Sequence, residues 1–206
     1  MEKYVFAFIP GHGGMVDGRY VTAPNKMAIL PNGQPVYEGV INRQIVDLTC
    51  ELSQWEGLQV INLVPEAEDI SLAERVRRVN QYHELCAAKE QTLILFEVHC
   101  NASVSHQAQG YECFTSAGST FSDTVANVWI EEMEDVLPRA RNRGEKDKNF
   151  FVIYRTKCPA VLTEHFFFDN PADVEQNYCP EGLKNHALAF LRTMHRMKEN
   201  DYEIIA

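Results

Sequence analysis

The chain of 206 residues has no apolar run of membrane-spanning length, and it is poor in basic residues: 19 Lys and Arg stand against 29 Asp and Glu, a formal net charge of −10. The first absence argues against insertion into a bilayer through a helix. The second argues against nucleic acid as a partner, because phosphate binding needs clustered cations, and it disfavours adhesion to an anionic surface. The longest basic cluster, Arg139-Ala140-Arg141-Asn142-Arg143, runs at once into Glu145 and Asp147 and reads as a solvated loop. The six cysteines (50, 86, 100, 113, 158 and 179) form no C-x-x-C and no close pair, which reads as reduced thiols rather than a disulfide framework or a zinc knuckle. Repeats, low-complexity tracts and a second-domain boundary are missing too. The first residues run straight into a strand-like segment with no signal-peptide h-region, so the expectation is a protein made and folded in the cytoplasm.

What is present is ordinary globular composition, 45% apolar and 23% charged, in a length that suits one domain, residues 1–206, with a substantial core. The centre of the pattern is Thr92–Ala102, TLILFEVHCNA, a short apolar run broken only by Glu97 and ending on His99, Cys100 and Asn101. Such a run reads as a strand buried on both faces, as in parallel sheets. Tyr4–Ile9 is a second such strand, and it ends at Pro10-Gly11-His12. Between residues 15 and 37 lies a long connection, of the kind that forms rims or lids, with Asn32-Gly33 marking a hairpin.

Helical spacing of Val40, Ile41, Ile45, Leu48, Leu52 and Trp55 predicts a helix from Glu38 to about Glu56, stopped by Gly57. LQVINLV (58–64) is a strand. Ser71-Leu72-Ala73-Glu74 is a capping box opening a helix with Leu72, Val76, Val79 and Leu85 on its inner face. Beyond the central strand come a strand at 110–115 and a helix capped by Ser119 or Ser122 and running to about Val136. A charged loop at 138–148, strands at 149–154 and 160–164, and a last helix from Pro180 to about Asn200 complete the chain. In that last helix Leu183, Ala187, Leu191 and Met194 face inward. Strands alternating with helices argue for a three-layer α/β/α sandwich. Its central sheet of about six strands is mostly parallel, yet mixed, because a connection as short as 103–109 holds no crossover helix.

Ligands bind such sheets at the carboxyl ends of the strands. His12 follows the first strand, His99 ends the central one, Glu38 opens a helix and Glu164 ends the last strand. Two histidines and a carboxylate suit a catalytic zinc ion with its fourth position open, and a further carboxylate can then move protons. The separations are long, unlike a compact H-E-x-x-H.

The motifs PGHGG, YEGVINRQIV, DISLAERVRRVN, FEVHCNAS, QGYECFTS and RGEKDKNFFVIYRTKCPAVLTEHFFFDNP, in this order, resemble those of the zinc-dependent N-acetylmuramoyl-L-alanine amidases of peptidoglycan metabolism, over nearly the whole chain. The resemblance implies a phosphorylase/hydrolase-like fold, Zn²⁺ held by His12, Glu38 and His99, and Glu164 as the catalytic glutamate. It also implies peptidoglycan or muropeptides as the substrate, with hydrolysis at the bond between the muramoyl lactyl group and L-alanine.

Three residues are candidates for the shell around the ligands. Arg75 is expected to anchor its helix by pairing with an acid such as Asp69, Asn42 to fix the Glu38 carboxylate or the nearby loop, and Asn101 to do likewise. Two positions depart from the family pattern. Cys100 follows the second histidine and is read as a packed thiol, and His165-Phe166-Phe167-Phe168 replaces the usual Leu-Gly-Phe. His165 is expected at the rim, His83, His186 and His195 on the surface, and His106 in a rim loop.

The interval from Val136 to Asn149 is too short for the inhibitory helix that some family members insert there. No appended wall-binding module or export signal is recognised, a combination that resembles a phage or prophage lysis enzyme or a cytoplasmic enzyme acting on imported muropeptides. A non-catalytic binding module on the same fold, and a zinc carboxypeptidase using Arg19, Arg43 or Arg155 to hold a free carboxylate, are the competing readings.

Overall fold

Seven residues without a polar face leave no side to turn to water, and Tyr4–Pro10 (β1) is buried along its whole length. The computed structural model describes residues 3–118, 120–200 and 202. After β1 the chain makes two small hairpins, Met15–Val16 (β2) with Arg19–Tyr20 (β3) and Met27–Ile29 (β4) with Pro35–Tyr37 (β5). It then enters helix α1 (Glu38–Trp55) and strand β6 (Val60–Asn62). Helix α2 (Leu72–Ala87) leads to β7 (Thr92–Asn101), which is followed by β8 (Tyr111–Thr115), α3 (Phe121–Val136) and β9 (Asn142–Asp147). The rest comprises α4 (Phe151–Arg155), β10 (Ala160–Phe167), α5 (Pro171–Asn177) and α6 (Pro180–Glu199).

The main sheet has six strands in the order β6-β1-β7-β10-β8-β9. All neighbours are parallel except β8 with β10, the mixed sheet that the short connection after β7 predicts. Alternation sends Phe6, Phe8, Ile94, Phe96 and Val98 to one face, where they pack with Ile41 and Ile45 of α1, Trp129 of α3 and Phe190 and Met194 of α6. Val5, Ala7, Ile9, Leu93, Leu95 and Leu162 go to the other face, covered by Val79 of α2 and by Val152 and Ile153 of α4. One layer is thus three long helices and the opposite one a single long helix and one short one. Among the described residues no helix is long and apolar enough to cross a membrane.

Several expectations fail for physical reasons. The segment 138–148 contains an edge strand, β9, despite its charge. Charged side chains suit an exposed sheet edge and discourage further pairing. The segment 149–154 is not a strand: α4 begins at Phe151, and a short apolar run does not by itself distinguish the two states. Leu72, Leu85 and Trp55 are exposed, while Arg75 is buried on the inner side of α2. Ser71 caps α2 by accepting from the Glu74 amide, but the Glu74 carboxylate turns to Arg77 and Arg78. The cap of α3 is Thr120, which forms a full capping box with Asp123; Ser119 lies outside the described residues. Cys100 packs on the thick-layer face, opposite His99, as a buried thiol.

His165 and His186 are not surface residues. Both are buried, with their Nδ1 atoms 3.1 Å apart. His186 Nε2 lies 3.2 Å from Asn177 Oδ1, and His165 Nε2 lies 3.2 Å from Thr163 Oγ1. Two neutral rings satisfy this chain if His186 donates to Asn177 and His165 donates to His186. Burial holds His165 well below the usual histidine range and His186 down to about 3. With folded-state values below the unfolded ~6.5, the unfolded chain takes up protons first. The stabilisation is therefore complete above that pH and is lost as pH falls towards 3. We expect urea midpoints to decline from pH 7 to pH 4, with a shallower slope in His186→Gln; an unchanged slope would remove this pair as its source.

Candidate active site

The site lies on the thin-layer face, at the carboxyl ends of β1, β7 and β10. Parallel pairing of β10 with β7 sets Glu164 beside His99, and alternation aims both the way of Leu95 and Leu162. His12 follows β1 with φ at 61°, a left-handed turn that folds its ring back over the strand ends. Glu38 is the first residue of α1, where the helix dipole favours a negative charge.

These elements converge on one carboxylate. Glu38 Oε1 lies 2.9 Å from His99 Nδ1 and 3.2 Å from His12 Nε2. Its other oxygen is buried without a hydrogen-bond donor, and the Lys26 ammonium is 3.5 Å away. Donor atoms of His12, Glu38 and His99 all lie within 4.8 Å of one another. Burial alone would raise Glu38, but hydrogen bonds from His12 and His99 win and hold it far below the usual carboxylate range. Burial opposes charge on His99, yet Glu38 and then Glu97 push it up to about 10. In His12 burial dominates and lowers the imidazole. Two imidazoles and a carboxylate with an orphaned buried oxygen form a donor set suited to a divalent cation.

The turn carrying His12 is held by its carbonyls. Arg75 donates to Pro10 O at 2.6 Å and to His12 O at 3.1 Å, and Asn42 donates to Gly11 O at 3.1 Å. Arg43 donates to His12 O at 2.7 Å and, through both Nε and Nη2, to Glu66 O. Asn42 thus fixes the loop, one of its two expected roles. Arg75 does approach Asp69, at 3.8 Å, but its shorter contacts are all backbone carbonyls, including Ile70 O. Asn101 does not join this group: it donates to Glu112 Oε1 at 2.7 Å. Gly11 has no room for a side chain, since a Cβ there would overlap the His99 ring, 2.2 Å from its Cε1.

Glu164 is walled in by Phe150, Phe151, Val152, Leu162 and Leu72, in a cleft of about 210 Å³ shared with His12, His99, Glu97 and Lys26. Burial, and then the charge of Glu38, raises its carboxyl to about 8 against the opposing pull of His99, and its Oε2 has no hydrogen-bond partner. A carboxyl so placed can accept a proton and return it. Two members of the site escaped sequence reading. Glu97, with Oε1 3.5 Å from His99 Nε2, was visible as the one charge in an apolar strand. Lys26 had no local signal, because only the fold of the 15–37 connection brings it to Glu38.

The fold and the donor cluster define a class: an α/β/α sandwich with a His/Glu/His donor group suited to a cation and a further carboxyl beside it. The chain belongs to the N-acetylmuramoyl-L-alanine amidase family, Amidase_3, whose model matches residues 7–194. The amidase CwlM of Bacillus licheniformis is 25% identical over 168 residues, covering 81% of this chain and 58% of CwlM, so the chain spans less than two thirds of that relative. Among solved structures, an N-acetylmuramoyl-L-alanine amidase from Clostridium difficile 630 superposes with a TM-score of 0.75 at 22% identity, covering 96% of this chain and 97% of the other. The catalytic domain of CwlV from Bacillus (Paenibacillus) polymyxa var. colistinus gives 0.70 at 20%, covering 97% and 99%. At these identities the two structures speak for the fold.

Gly11→Ala tests the donor cluster. The added methyl must displace His99, so we expect at least tenfold weaker divalent-metal retention against a competing chelator. Native affinity in this variant would mean that His99 is not a ligand.

Proposed function

We propose that this chain hydrolyses the amide between the lactyl group of N-acetylmuramic acid and the L-alanine of the peptidoglycan stem, with Zn²⁺ as its metal. The observation that carries the reading is the juxtaposition of the His12/Glu38/His99 donor set, with Glu38 buried and the two histidines partly open to the cleft, with Glu164 one strand away, its Oε2 unpartnered. Family membership supplies the bond class. Zinc bound to these three residues supplies an acidified water and a Lewis acid for the amide carbonyl.

The chain's own residues do the rest. Arg75, Arg43 and Asn42 fix the backbone turn that carries His12, which sets one ligand before any metal arrives. Glu97 lies on the far nitrogen of the His99 ring and can orient it, the role outer carboxylates play in metal sites. Glu164, one strand from the donor set and without a hydrogen-bond partner at Oε2, takes a proton from the attacking water as its carboxylate and returns it to the departing alanine nitrogen. The apolar wall from Phe150 to Val152 limits water around that exchange. The carboxypeptidase reading loses one of its three candidate anchors, because Arg43 is committed to three backbone carbonyls, those of His12, Gly39 and Glu66.

Glu164→Ala is expected to lower kcat by about 10²–10⁴-fold while zinc content stays near one per chain. Chelation should abolish wild-type cleavage, and added zinc should restore it. L-Alanine at the new amino terminus of muropeptide products identifies the bond. A released carboxy-terminal residue instead would assign the chain to the carboxypeptidases, and full activity in the variant would remove Glu164 from the reaction.

A further inference from the structure

Strand β8, YECFT, is buried along its whole length although it carries one charge, Glu112. Antiparallel pairing sets Glu112 directly opposite Glu164 of β10, and Phe114 opposite Leu162. Both acids therefore stand on the thin-layer face, on adjacent strands. Like charges in direct opposition destabilise a sheet, and a buried carboxylate needs donors. The two are served unequally. Glu112, 4% exposed, accepts from Asn101 Nδ2 at 2.7 Å, from Arg143 Nε at 2.6 Å and from Lys146 Nζ. Glu164 has an Oε2 that meets no donor. We propose that Glu112 is a positioning residue for Glu164: it takes up three donors that would otherwise pair with the Glu164 carboxyl, and so leaves that carboxyl free at the cleft. The inference rests on the amidase reading for what Glu164 does, and on the sheet for how it is held.

Two of the donors already extend across β10. Asn101 lies on β7 and Glu112 on β8, so the bond between them crosses the strand that separates the two. The crossing is open because the pairing of β10 with β7 slips between Glu164 and Phe167. His165 packs on Trp129, and Phe166 joins the same helical layer, so neither side chain blocks the thin-layer face at that point. Arg143 comes from β9, two strands away, yet its Cζ lies 5.0 Å from the centre of the Phe167 ring on β10. Lys146 pairs in register with Phe114, two residues along from Glu112.

The acids of β9 do not compete for these cations. Glu145 turns to the opposite face, where it accepts from Thr115 Oγ1 at 2.7 Å and groups with Asp123 of α3 and with Asp147. Among the described residues Glu112 is the one carboxylate paired with Arg143 and Lys146. Burial would raise its carboxyl, but Lys146 and Arg143 outweigh burial and hold it below the usual carboxylate range, so it keeps its donors. Without Glu112, the carboxyl directly across the strand pair is Glu164. Clamped by a guanidinium or an amide, Glu164 would be drawn from the cleft and would be a poorer proton acceptor.

The test compares zinc-loaded, full-length variants on a muramoyl-L-alanyl peptide. Glu112→Ala, and Glu112→Gln should the first fold poorly, are expected to lower kcat at least tenfold, with KM within twofold of native and zinc near one per chain. The glutamine keeps an acceptor for Asn101 but replaces the oxygen that receives Arg143 and Lys146. Adding Arg143→Ala to either variant should recover at least fivefold in kcat. A merely structural Glu112 would not allow this, because a second lost contact only adds damage. The urea midpoint gives a readout independent of turnover: Arg143→Ala and Glu164→Ala should act additively in the native chain and non-additively in Glu112→Gln. Native kcat in both Glu112 variants, or a loss that Arg143→Ala deepens with midpoints still additive, would overturn the proposal. Coupled midpoints in a chain that cleaves no muramoyl amide would support it and refute the reaction, so the two failures are separable.

Discussion

A carboxylate that is only 1% exposed must be met by positive charge or by hydrogen-bond donors, and Glu38 is met from three directions, by His12, His99 and Lys26. Much of the surrounding architecture follows from holding that group in place. The Glu38 amide is bonded to Lys26 O and the Gly39 amide to the Tyr20 hydroxyl, which ties the long connection to the start of α1. Gly39 sits so close to Gly13 O that a Cβ would overlap it. The start of the helix and the histidine turn are therefore packed backbone against backbone, and the position of Glu38 relative to His12 does not depend on side-chain rotamers.

The turn itself poses a satisfaction problem. Three successive carbonyls, those of Pro10, Gly11 and His12, point inward where no strand or helix receives them, and orphaned buried carbonyls are costly. Arg75, Arg43 and Asn42 answer it with donors from two different helices. This explains a fully buried arginine in a site that needs no anion holder. Its work is to stiffen a loop, and the nearby acid Asp69 is a secondary partner.

How far the sequence could be read depended on whether a signal was local. His12, His99, Glu38 and Glu164 stand at ends of apolar runs or at a helix start, and the cluster could be assembled from those ends alone. The layers followed from periodicity. What escaped was set by tertiary context. Segment 149–154 is as apolar as a strand, but β9 fills the sheet edge, and the chain that follows crosses the thin face as α4 and walls the cleft. His165 and His186 look polar in sequence, yet they satisfy each other and two further partners, so the core accepts them. Lys26 reaches the site through a connection whose path no nearby residue discloses.

The placement of the cysteines has a consequence for chemistry unrelated to the site. Cys86, Cys100, Cys113 and Cys158 are buried, and burial keeps all four thiols protonated, Cys158 up to about 12 and Cys100 and Cys113 well above the ordinary thiol range. Thiolates, not thiols, are what oxidants and alkylating agents attack. Cys100 sits one residue from a proposed metal ligand but on the opposite face of the sheet, so the most sensitive neighbour of that centre is also inert. These four thiols should accordingly be indifferent to peroxide and to the thiol–disulfide balance of their surroundings, which leaves the half-buried Cys50 and Cys179 as the sites where such reagents can act.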